Sequence, residues 1–107
     1  MRNIIIVTTD TIEGKNIVKT LGMVRGNTIR ARHIGRDIIA GLRGLVGGEV
    51  YEYTKLLAES REQALDRMID EARALGANGI VAVRFSTSLM AQGAAELLAY
   101  GTAVITD

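Results

Sequence analysis

The stretch from Ala64 to Ser88 reads ALDRMIDEARALGANGIVAVRFSTS and changes its period in the middle. Before Gly76, apolar residues recur every three or four positions: Ala64, Met68, Ala72 and Leu75. After Gly79 the pattern shortens to two, with Val81, Val83 and Phe85 alternating against Ile80, Ala82, Arg84 and Ser86. A period near 3.6 is one face of a helix and a period of two is a strand, so a helix ends and a strand begins here. Gly76 supplies the stop, because glycine tolerates the left-handed conformation that closes a helix.

Upstream, the helical stripe continues through Leu57, Tyr53 and Val50, so one helix is expected over Glu49–Leu75. Glu49 and Glu52 in its first turn and Arg73 in its last match the helix dipole. Ser60-Arg-Glu-Gln63 fits a capping box, but no breaker precedes it, and a single helix is the preferred reading. Downstream, Gly93 marks a turn and Glu96–Thr106 forms a second strand, giving an antiparallel hairpin. Leu98, Tyr100, Thr102 and Val104 share one face of that strand. Ala99, Gly101 and Ala103 make the other face small enough for a close neighbour. Toward the N-terminus, residues 3–8 read as a short strand and Ile17–Arg32 as a long one, bulged or bent at Gly22 and Gly26. Asp37–Leu45 reads as a short helix ended by Gly47-Gly48. One domain is expected from the 107 residues.

One helix covers only one face of such a sheet, and the other face is expected to meet a second subunit. Residues 1–48 carry eight bases and three acids, whereas residues 49–75 carry four bases and seven acids. Opposite patches of this kind can meet head to tail between copies. The whole chain is nearly neutral at +1, which argues against a nucleic-acid-coating or lipid-coating role. The basic cluster Arg30, Arg32, His33 and Arg36 lacks aromatic residues around it, so nucleic acid is not an expected partner. No apolar run reaches the ~18 residues that cross a bilayer, and no signal peptide is legible, so a cytoplasmic protein without a membrane partner is expected.

Catalytic patterns are missing: no Gly-x-Ser-x-Gly, no phosphate loop and no Gly-x-Gly-x-x-Gly. Gly41, Gly44 and Gly47 recur every three residues and read as a close-packing surface rather than a phosphate cradle. The absence of cysteine removes thiolate chemistry and soft-metal thiolate sites. His33 and Asp37, four apart, could share a helix face and bind a metal with Glu49 or Glu52. No cofactor is expected.

The block Ala72-x-x-Leu75-Gly76-Ala77-Asn78-Gly79-Ile80-Val81-Ala82-Val83-Arg84-Phe85-x-Thr87-Ser88 resembles the YbjQ-like family, as do Gly47-Gly48-Glu49, Tyr53-Thr54 and Arg61-x-x-Ala64. The ending Glu96-x-x-x-Tyr100-Gly101-Thr102-Ala103-Val104 and the upstream Gly22-x-Val24-x-Gly26 resemble it too. The resemblance implies an α+β two-layer sandwich similar to a dodecin subunit. It would be β-α-β-β with an antiparallel sheet ordered 1-3-2, and extra short strands would build a homopentamer. The family carries a heavy-metal-binding label but no accepted catalytic residues.

These readings converge on a non-enzymatic homo-oligomer that binds a small ligand or ion where subunits meet. Glu49, Arg84, Glu96 and Tyr100 are the candidate binding residues, and His33 and Asp37 are the metal alternative. Arg84 interrupts an apolar strand and is expected to be a buried charge paired with Glu96. The rival reading is an enzyme that uses an interfacial carboxylate and Arg84 on an anionic small molecule.

Overall fold

The computed structural model describes residues 4–30, 48–89 and 95–107. Strand β1 is Ile5–Ile6, β2 is Ile17–Arg30, helix α1 is Gly48–Ala74, β3 is Gly79–Leu89 and β4 is Ala95–Thr106. The expected Asp37–Leu45 helix lies outside the described residues. The four strands form one sheet in the order β1-β3-β4-β2. Both β2 and β3 run antiparallel to β4, but β1 pairs parallel to β3. The sheet is therefore mixed rather than wholly antiparallel.

The helix ends as its sequence dictates. Gly76 stands at φ 85°. Its N–H donates to Arg73 O at 2.9 Å, while the Ala77 N–H reaches Ala72 O at 3.1 Å. These two bonds are a Schellman closure, and they turn the chain directly into β3. Helix α1 runs through Ser60 without interruption.

The helix lies chiefly over β2 and β4. Ala64, Met68, Ile69 and Ala72 meet Val24, Ala99 and Ala103, all buried, and Ile80 and Val83 of β3 join the same core. Contact is closest at Gly26. A Cβ built there would stand 2.3 Å from Ala64 O and from Met68 N. Gly26 is thus no bulge; it is where helix backbone rests on strand backbone. Gly22, at φ 123°, does mark a break in the β2–β4 register. The stripe fails at both ends, with Leu57 44% and Leu75 47% exposed. Leu57 lies ahead of Ser60 and Ala64, the first buried residues described along the helix. Leu75 follows the last helical residue, where the chain turns away.

Strand β3 departs most from its expected alternation. Val81 pairs with Thr102 and Arg84 with Tyr100, so Ala82 and Val83 together oppose Gly101. Ala82 takes φ 55°, a left-handed conformation uncommon outside glycine, and donates its N–H to Thr9 O at 2.8 Å. The bulge reverses the faces: Ile80 and Val83 pack in the helix-side core, and Val81 packs on the opposite side. Gly101 lets the bulge fit, since a Cβ there would lie 2.8 Å from Ile80 Cγ2 and 3.0 Å from Val81 O.

The helix-free face is not wholly bare either. Ile12, between β1 and β2, packs on Val81 and Val104, with Val7 and Ile17 alongside. The far end of that loop is tied to β4, because the Asp107 carboxylate accepts from Asn16 N at 2.9 Å and Asn16 Nδ2 at 3.0 Å. Those bonds, the backbone one first, hold the Asp107 carboxyl below the usual aspartate range.

Candidate functional site

Beyond the Val81–Val104 cluster, the helix-free face is set out in rows by the strand register. Arg84, Tyr100 and Arg25 share one row, Ser86, Leu98 and Asn27 the next, and Ser88, Glu96 and Ile29 the third. In the row beside Arg84–Tyr100–Arg25, Thr102 lies opposite Met23. Met23 and Ile29 are more than half exposed, and Arg25, Asn27, Ser86 and Ser88 are exposed as well. Tyr100 and Glu96 are partly buried.

Three of the four binding candidates therefore share a face. Arg84 and Tyr100 are direct cross-strand neighbours, while Glu96 stands four residues along β4 from Tyr100, about 13 Å away. That spacing corrects the expected Arg84–Glu96 pair. Glu96 accepts instead from Asn27 Nδ2 at 3.0 Å. Arg84 is exposed rather than buried, and its Nη1 donates to Thr8 O at 2.8 Å and Val83 O at 2.9 Å. The bulge places Arg84 beside the segment that follows β1, so a backbone carbonyl rather than a carboxylate receives it.

Glu49 lies in the first turn of α1, and its side chain is outside the described residues. His33 and Asp37 are outside them altogether. Sequence reasoning missed Arg25, Asn27, Ser86 and Ser88. The signal was present in β2, where Met23, Arg25, Asn27 and Ile29 alternate with Val24, Gly26 and Thr28, and those last three are buried.

Chemically this face offers two guanidinium groups, one phenol, two serine hydroxyls and an amide–carboxylate pair. Such a set holds anionic or polar groups. A shallow recess on the solvent side of α1, lined by Ala58, Glu59, Glu62, Gln63 and Asp66, is separate from it. Among the described residues no three His, Cys, Asp or Glu side chains gather as a metal set.

The fold and this face together define a small α+β protein with one helix on a mixed four-stranded sheet. The chain belongs to the YbjQ family, described as "putative heavy-metal-binding", which it matches over residues 4–107. It is 61% identical over 100 residues to a UPF0145 protein of Methanosarcina acetivorans, covering 94% of each chain. A UPF0145 protein of Halorubrum lacusprofundi is 62% identical over 96 residues, 90% of this chain and 92% of that one. A third, from Dehalococcoides mccartyi, is 56% identical over 103 residues and covers 96% and 99%. Among solved structures, a Pediococcus pentosaceus protein of unknown function from the DUF74 family superposes with a TM-score of 0.65, covering 97% and 98% at 16% identity. That likeness concerns the fold.

The donor chemistry of the described residues does not fit the metal description. A soft heavy metal prefers thiolate, which the chain lacks; of the thioethers among the described residues, Met68 is sealed in the core and Met23, though exposed, has no second sulfur among them to join it.

Proposed function

We propose that this chain is a non-enzymatic, cytoplasmic homo-oligomer that binds a small anionic or polar ligand where subunits meet. Its subunit is dodecin-like and its assembly is built on five copies, as the family resemblance implies. The observation that carries the reading is the helix-free face, where Arg25, Tyr100 and Arg84 form one row beside exposed Met23 and Ile29. Exposed large apolar side chains among charged ones suit an interface, and the Arg–Tyr row suits an anion. Arg84, Tyr100 and Glu96 line the ligand surface.

Native mass spectrometry of protein purified without chelator tests this reading in one measurement. A multiple of five times 11.5 kDa, carrying a bound small molecule, is the expected result. A monomer at micromolar concentration would end it.

The family's description favours a second reading, metal binding through His33, Asp37 and carboxylates. Equilibrium dialysis with zinc, copper or cadmium is expected to find no tight stoichiometric site. Submicromolar binding that disappears in His33→Ala would establish this second reading instead.

A further inference from the structure

Two backbone carbonyls, and no carboxylate, hold Arg84. Its bonds to Thr8 O and Val83 O both leave from Nη1, the terminal nitrogen on the Cδ side of the guanidinium. They fix the plane of the group from one edge. The opposite edge, Nε with Nη2, presents two parallel N–H groups, and among the described residues neither has an acceptor. No carboxylate among those residues lies within ion-pair distance of Arg84 or of Arg25. Glu96, two rows along, accepts from Asn27, and Glu71 meets Arg25 only at the backbone N–H.

The backbone beneath Arg84 points the same way. Ala82, at φ 55°, belongs to the bulge that turns Arg84 onto the helix-free face. A non-glycine residue in that conformation is strained, and bulges beside sites serve to re-aim a side chain. The strained turn therefore aims a cation whose bidentate edge the chain itself leaves unused. Tyr100 stands one strand spacing away on β4, about 4.8 Å, and Arg25 one spacing further on β2. The Tyr100 hydroxyl likewise has no hydrogen-bond partner among the described residues.

We infer that the Nε–Nη2 edge of Arg84 receives one oxyanion, two of whose oxygens accept the parallel N–H groups while the Tyr100 hydroxyl donates to it from the side. This rests on the reading that the open face binds an anionic ligand, and it names the receiving atoms and the chemical class. That class is carboxylate or phosphate, the oxyanions whose paired oxygens match a guanidinium fork. Arg25, on the far side of Tyr100, adds a second positive charge, which favours a phosphate dianion over a carboxylate.

The test is an NMR titration of the full chain with inorganic phosphate and, separately, with acetate, followed by native mass spectrometry of the same samples. Both anions are expected to move the Arg84 Nε–H resonance, phosphate at the lower concentration; acetate at the lower one would name the carboxylate as occupant. Arg84→Lys keeps the charge and loses the fork, and is expected to weaken phosphate binding about tenfold. Tyr100→Phe weakens both anions by a smaller factor, and Arg25→Gln narrows the gap between them. Phosphate bound equally well by Arg84→Lys, or an Nε–H resonance that neither anion moves, overturns the receptor and leaves the assembly standing. A monomer that still takes phosphate on Arg84 keeps the receptor and ends the reading of an assembly. Should Arg84→Lys not fold, the Nε–H shift in the unmodified protein decides alone.

Discussion

The two faces of the sheet use opposite side-chain strategies. Under α1 small residues let the layers approach, Gly26, Ala99, Gly101 and Ala103 with Ala64 and Ala72 from the helix, and Val24, Met68, Ile69, Ile80 and Val83 fill the space between them. On the other face they are long and mostly polar: Arg25, Asn27, Arg84, Glu96 and Tyr100. The covered face gains stability from backbone approach, where dispersion contacts are densest, and so has no room to vary. The open face has room, and its side chains hydrogen-bond to neighbours that a ligand or a subunit can replace. A site on this protein therefore belongs on the long-residue face, and a stability defect on the short-residue one.

Breaking the covered face gives the largest effect. Gly26→Val drives a side chain into the helix backbone, and a loss of more than about 3 kcal/mol is expected by urea denaturation. A loss below 1 kcal/mol would mean that the helix lifts freely and that the close approach is incidental. On the open face, Arg84→Met removes an exposed hydrogen bond to a carbonyl rather than a partner of a buried carboxylate. A cost of about 1 kcal/mol is expected, measured on subunits diluted below assembly. A loss of 3–5 kcal/mol would restore the buried-pair reading.

Thr28 sharpens the contrast from the covered side. It is 2% exposed, and its Oγ1 has no hydrogen-bond partner among the described residues. Thr28→Val keeps the shape and drops the hydroxyl, so a gain of up to about 1 kcal/mol is expected as a rise in melting temperature. A fall would assign the hydroxyl a partner.

Much of this was legible before any coordinates. The helix, its stop at Gly76, the hairpin and the small face of β4 follow from periodicity and from residue size. What escaped were two backbone facts. Gly26 reads in sequence like any strand glycine, and only the helix above it separates a close approach from a bulge. Ala82 has no reason in its own chemistry to adopt a positive φ, so the bulge leaves no local mark, and strict alternation groups Val81 with Val83 where the structure parts them. The error in Arg84's partner comes from the same source. Pairing it with Glu96 treated the hairpin as free to match charges, whereas the register fixes them four residues apart. For the candidate site, three residues were named and four neighbours missed, because the open face is assembled from three strands and no single segment displays it.

The extra residue at Ala82 also makes β3 a strand that counts in parity. Every side chain from Arg84 to Ser88 owes its face to one inserted position. Adding or deleting a single residue between the bulge and the end of β3 would exchange Arg84, Ser86 and Ser88 with Phe85 and Thr87 as a block. Hydroxyls and a guanidinium would then turn toward the helix side, and a phenyl ring would turn toward the Tyr100 row. Length changes in this part of the chain are therefore tolerable only in twos.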